Sequence, residues 1–405
     1  MVSFPDLLLA QEHADALAWF LNLFEVRLLQ ASCARVACEV RYCIARRAMD
    51  VQLFVCGGER GDGDVVTSVE CFTPATGQWR SLSPLPIPRI PALVELAGSL
   101  YAGSSDTEDE NGSIFKFDPS VGVWESMPPL MIPRTGYKLL VAAGHLFVCG
   151  GICEASDDDV PCTTEYFDFA TNLWCFVPPN DIHRRNPLVA EDSDCIYMCA
   201  TVESEDGEEQ QNHPEQWLSA VERFDAWAGC WETVPPMRAQ SEMPHFAFML
   251  SSRGHVYVGS DRSIERFDVS DSIWEVLPPM PAALNHVDTT EIAYLGRLFI
   301  CGGVSDDGLH QSSFGSFCPR LHSWSVLSQM PLACSHPAVV GLAGCVYICG
   351  GCGGPASHTQ DPSLKSFARF SLTSGSWEAL PSMSEPNGHP EVVVSWGRRC
   401  PVHAV

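Results

Sequence analysis

The chain has 405 residues, of which 46% are hydrophobic and 18% charged, a composition that excludes a disordered polymer. Its formal net charge of −26 excludes a general nucleic-acid surface, which needs clustered Lys and Arg to displace counterions. No apolar run reaches the roughly 18 residues of a bilayer span, and Gln11, Glu12, His13 and Asp15 break the N-terminal apolar stretch, so no secretory signal is read. The 19 cysteines, many on strand-like positions such as Cys56, Cys149, Cys301 and Cys349, then read as small buried hydrophobes in a reducing cytoplasmic or nuclear compartment.

Residues 1–48 form the first unit. Pro5 is its only proline and no glycine precedes Gly57, so nothing after Pro5 breaks a helix. Leu17, Phe20, Leu21, Phe24 and Leu28 fall on one helical stripe, and Leu29, Cys33, Val36, Val40, Cys43 and Ile44 on a second. Trp19, Leu23 and Val26 add apolar surface outside the first stripe, so the helix is buried on two sides or meets a partner. A small module of two or three helices is expected.

From Val51 the periodicity changes to that of strands. A Phe precedes a Trp at one fixed spacing in seven places: Phe72/Trp79, Phe117/Trp124, Phe167/Trp174, Phe224/Trp231, Phe267/Trp274, Phe317/Trp324 and Phe370/Trp377. Their mean period of about 50 residues marks an array of repeats rather than one irregular core. Each repeat has the same four pieces: an apolar run, a Gly-containing turn and second run, a third strand ending at the Phe, and a fourth centred on the Trp. Prolines follow the fourth, as at Pro128-Pro129 and Pro278-Pro279, where they cannot donate to a further ladder. A double glycine closes the second run at 57–58, 150–151, 302–303 and 350–351, where the chain turns sharply or passes close to a neighbour.

Apolar strand, double Gly, aromatic and spaced Trp are the residues of the kelch repeat, and the span 51–397 resembles that family. The resemblance implies an all-β fold, a kelch β-propeller with seven blades, or six if the degenerate fourth or fifth repeat collapses. The first repeat begins at its second strand, Val51–Cys56, and the chain ends on a spare strand at 391–396. The propeller, 49–397, is therefore expected to close by that C-terminal strand, which removes open edges. Residues 398–405 form a tail.

The repeat aromatics are too regular to be a recognition motif and are read as structural. Function belongs where the repeats differ. Arg89, Arg134, Arg184 with Arg185, and Arg238 stand at four consecutive blade-to-blade junctions. Acidic runs at Asp106 to Glu110, Glu154 to Asp159, Glu203 to Glu209 and Asp306-Asp307 stand in second-to-third-strand loops on the same face. The expected site is a basic arc gripping carboxylates or phosphates of a partner inside an acidic rim; its alternative is an Arg that only pairs with neighbouring acids or backbone. His245, His286, His336 and His389 recur at the starts of first strands. The first three join the partner-binding set, with a strand-start structural role as the alternative; no helical His pair or Cys/His quartet supports zinc. Cys349-Gly-Gly-Cys352 is a lone CxxC on a double Gly and not at the head of a helix. No nucleophile elbow, phosphate loop or dinucleotide fingerprint occurs, so no catalytic residue and no cofactor are assigned.

The stretches 4–9 and 23–33 resemble an F-box, a helical module that docks a Skp-family adaptor and often precedes kelch repeats. The resemblance implies adaptor docking by Pro5, Leu8, Phe20, Phe24 and Leu28. Three classes remain open: a substrate receptor of an SCF-type ubiquitin ligase binding a protein target on the propeller face, a kelch scaffold without a ligase, and a propeller enzyme such as an oxidase or sugar epimerase. The first is expected, which makes the chain a protein-binding rather than a catalytic one.

Overall fold

Apolar residues alternating along short runs, broken every few residues by Gly, Pro or Asp, dictate small antiparallel sheets. The computed structural model describes residues 51–60, 64–86, 91–104, 112–151, 164–178, 187–192, 194–199, 221–238, 247–260, 264–353 and 362–396. Among them 28 strands form seven four-stranded antiparallel sheets, and every regular element is a strand. The fold is a seven-bladed propeller, which decides the count of blades against six. The helical module expected at 1–48 and the tail at 398–405 lie outside the described residues.

Blades are numbered here in chain order. Blade 1 consists of Glu391–Trp396, Val51–Cys56, Val69–Thr73 and Gln78–Ser81, from the axis outward. The C-terminal strand lies antiparallel to the first, pairing Val51 with Trp396 and Cys56 with Glu391. The first and last strands of the described residues thus share one sheet. Blades 2 to 7 each run consecutively from an inner to an outer strand. The inner strands, Pro91–Leu96, Lys138–Ala142, Leu188–Asp192, Ala247–Ser251, Thr290–Tyr294, Ala338–Leu342 and Glu391–Trp396, neighbour one another around the axis.

The apolar core lies between blades. One cluster joins Leu53 and Phe72 of blade 1 to Tyr347 and Phe367 of blade 7; another joins Phe54 and Cys71 to Leu100 and Phe117 of blade 2. Each repeat Phe is 3% exposed or less, and its ring centroid lies 5.0–5.3 Å from that of the Trp opposite it. All seven indole N–H groups donate to a backbone carbonyl just past the outer strand of the preceding blade, at 2.6–3.0 Å. That bond explains why the position is Trp rather than another aromatic. The double glycine meets both of its expected constraints at Gly151: φ is +105°, and an added Cβ would sit 2.7 Å from the Thr135 carbonyl.

Strand direction puts the second-to-third loops and the blade-to-blade connections at one end of the propeller, the loop face. The tight turns occupy the other end. Asp118, Asp168, Asp225 and Asp268, each just after the repeat Phe, accept a turn N–H there at 2.9–3.0 Å.

Candidate partner-binding face

Three glutamates, each two residues before a repeat Phe, anchor the loop face from below. Glu70, Glu165 and Glu265 are 4%, 0% and 3% exposed. Each accepts a backbone N–H from the blade-to-blade connection arriving from the preceding blade. Glu70 takes Ser384 N at 3.1 Å, Glu165 takes Met131 N at 2.8 Å, and Glu265 takes Arg238 N at 2.8 Å. A buried carboxylate holding loop amides satisfies groups that would otherwise be lost to desolvation.

This device corrects the expectation for Arg134. Its guanidinium is wholly buried, ion-paired through Nη2 to Glu165, and its Nε donates to the Ile132 carbonyl at 3.1 Å. It fastens blade 2 to blade 3 and presents nothing to a partner. Arg238 is exposed and only its backbone N–H is held by Glu265. Arg89, Arg184 and His245 lie outside the described residues, as do Pro5, Leu8, Phe20, Phe24 and Leu28 of the adaptor-docking set. The signal for the anchors was present in the sequence: Glu stands two residues before the Phe at 70, 165, 222 and 265.

Over blades 5, 6, 7 and 1 the connections are knitted to one another by backbone. Val287 pairs with Val304, Val304 with His310, Ser335 with Cys352, Cys352 with Ser363, and Leu364 with Asn387. His336 N donates to the Asp288 carbonyl at 3.2 Å, and Gly388 N to the Glu59 carbonyl at 2.7 Å. The result is a continuous platform made from loops of four blades. It exposes Val287, Leu309 and Leu332, each between 42% and 48%, beside Asp288, Asp306 and Asp307. Arg60 spans to Glu385 at 3.0 Å.

Two of the recurring histidines meet on this platform. The rings of His336 and His389 lie 4.5 Å apart, and His336 Nε2 is 3.6 Å from Asp288 Oδ1. Burial, and then His389, hold His336 below the ordinary imidazole range, while Asp288 pulls the other way. His286 stands apart from the pair, with its Nε2 3.2 Å from the Ala283 carbonyl. Among the described residues no three His, Cys, Asp or Glu side chains are grouped so as to hold a metal ion.

The Kelch motif family matches residues 48–86, 133–180 and 333–384. The chain carries kelch motifs. No curated protein matches it. Among solved structures it is similar to a fungal alcohol oxidase of the AA5 family, determined in complex with copper, at 15% identity and a TM-score of 0.57. That alignment covers 76% of this chain and 68% of the oxidase. YjhT is another, at 11% identity and a TM-score of 0.46, with 81% of this chain and 97% of that one covered. At such identity the likeness to the oxidase shows the propeller fold alone.

Two further features of the kelch propeller bear on chemistry. Of the seven inner strands, those of blades 3, 6 and 1 begin with Lys138, Thr290 and Glu391. Burial pushes the Glu291 carboxyl up to about 8, with the Thr289 hydroxyl opposing. Glu391 keeps an exposed surface; desolvation by the strands around it raises its carboxyl and Lys138 opposes that rise. A recess of about 190 Å³ between blades 6 and 7 is lined by Met330, Leu332, Ile348, Phe367 and Trp377. Its walls are apolar, a place for a side chain rather than for acid–base work.

Proposed function

We propose that this kelch propeller is a non-catalytic partner-binding protein whose loop face, over blades 5, 6, 7 and 1, receives a protein segment. The observation carrying this reading is the backbone-bridged platform. Loops already fixed to one another need little ordering when a partner arrives, so less of the contact energy is lost to entropy. Exposed Val287, Leu309 and Leu332 offer apolar anchors. With Arg134 committed to Glu165 and Arg60 to Glu385, the neighbouring Asp288, Asp306 and Asp307 favour a segment with apolar anchors and basic flanks. Interaction surfaces need a few such anchors in a fixed frame more than they need area.

The sharper form of the proposal is a substrate receptor of an SCF-type ubiquitin ligase. Residues 1–48 dock a Skp-family adaptor through Pro5, Leu8, Phe20, Phe24 and Leu28, and the propeller holds the target, raising its effective concentration at the ligase. Co-purification of the full chain with a Skp-family adaptor tests it. Wild type is expected to retain the adaptor, and Phe24→Asp with Leu28→Asp to lose it. Absence of the adaptor from the wild-type sample leaves the scaffold reading in its place.

A further inference from the structure

Among the cysteines of the described residues, Cys352 differs in its surroundings. Cys56, Cys301, Cys334 and Cys349 are buried in the blade core, where desolvation penalises a thiolate. Cys352 is partly exposed on the loop face, at the junction of three connections. Its backbone is fixed on both sides: Cys352 N donates to the Ser335 carbonyl and Ser335 N to the Cys352 carbonyl, each at 2.8 Å. Cys349 Sγ lies instead against the Ala338 carbonyl, so the CxxC spacing does not bring its two thiols to common partners.

The Cys352 thiol faces an imidazole. Its Sγ is 3.7 Å from His389 Nε2 and 3.5 Å from the Gly388 carbonyl. The His389 ring stacks on His336, and His336 reaches toward Asp288. The titratable neighbours of this line are His310, which acts on His336, and Cys334, which Cys352 influences. A thiol beside a base whose ring is held by a second imidazole, itself near a carboxylate, is an arrangement that can activate a nucleophile.

We propose that Cys352, with His389 as its base, is a covalent modification site for soft carbon electrophiles such as α,β-unsaturated carbonyl compounds. The Sγ proton passes to His389 Nε2, leaving a thiolate beside an imidazolium whose ring rests on His336, the imidazole that Asp288 contacts. The thiolate attacks the β-carbon and forms the C–S bond as the alkene pair moves onto the α-carbon as an enolate. His389 returns the proton to that carbon. Atoms and electrons balance as a simple addition, with no oxidant required. An adduct at Cys352 stands where the connections of blades 6, 7 and 1 meet, and this inference holds whether or not the platform receives a partner.

Limited alkylation of the reduced, folded chain with N-ethylmaleimide, read by peptide mass spectrometry across pH, tests the assignment. Cys352 is expected to react about ten-fold faster near pH 6.5 than exposed Cys230, with an inflection below the ordinary thiol range. In His389→Gln that advantage disappears while Cys230 is unchanged. Asp288→Asn, on the exposed surface, moves the inflection upward and serves if the His389 variant does not fold. The proposal is overturned if wild-type Cys352 reacts no faster than Cys230, or if both variants leave its rate and pH profile as they were.

Discussion

Trp79 Nε1 donates to the Pro381 carbonyl at 2.7 Å across 302 residues of sequence. It is the same bond the other six tryptophans make to the blade before them, but here the preceding blade is the last one. Together with the pairing of Val51–Cys56 to Glu391–Trp396, it closes the ring. Trp79→Phe keeps the packing against Phe72 and Phe367 and removes only the donor. A loss of about 1 kcal/mol is expected in urea titration. Hydrogen exchange should quicken in blades 7 and 1 and stay unchanged in blade 4, which separates a closure bond from a general loss of stability.

Arg134 and Arg238 stand in corresponding blade-to-blade connections but at different positions, since Met131 is the residue whose N–H meets the buried glutamate as that of Arg238 does, and they are expected to give contrasting phenotypes. Arg134→Ala leaves Glu165 as an uncompensated buried charge beside loop amides, a destabilisation of about 3–5 kcal/mol. Arg238 is exposed, so Arg238→Ala should change stability by less than about 0.5 kcal/mol. Equal denaturation midpoints for the two variants would contradict the assignment of Arg134 to structure.

The contrast also shows where the sequence stops being legible. The seven Phe/Trp pairs are local, six residues of intervening chain in each case, so periodicity alone displays the blades. The closing strand was legible too, because an unpaired strand at each end of a repeat array has one place to go. Arg134 was not: its partner Glu165 stands 31 residues on, in the next blade, and an arginine after a proline looks the same whether buried or free. The stacked pair His336 and His389 is 53 positions apart and meets only because blades 7 and 1 are neighbours in the closed ring.

Cys318 occupies the position that Asp118, Asp168, Asp225 and Asp268 hold in other blades, and pairs with Ser323 as Asp118 pairs with Val123. The turn is therefore built to receive an anion. Burial raises the thiol, but the Leu321 and Arg320 amides and the Arg297 guanidinium outweigh it and hold Cys318 below the ordinary thiol range. A folded pKa below the unfolded one adds stability that is present at alkaline pH and lost as pH falls through the folded value. Cys318→Asp extends that contribution to neutral pH, since a carboxylate is already ionised there. Its melting temperature at pH 7 should exceed that of Cys318→Ser, and Arg297→Met should narrow the gap.

Glu291 has the opposite sign. Its carboxyl stands at about 8 in the fold against an ordinary value of 4.5, so the folded chain holds a proton that the unfolded chain has released. The contribution to stability is complete below about 4.5 and is lost as pH rises through about 8. Glu291→Gln is isosteric and cannot ionise, so it keeps the protonated state's packing at every pH. Because Glu291 retains some surface toward the channel, the gain at pH 8.5 is discounted to about 1 kcal/mol. Thermal melts of the two proteins should coincide near pH 4.5 and separate as pH rises, with the variant the more stable. Parallel curves from pH 4.5 to 8.5 would mean that channel water keeps this carboxylate charged throughout.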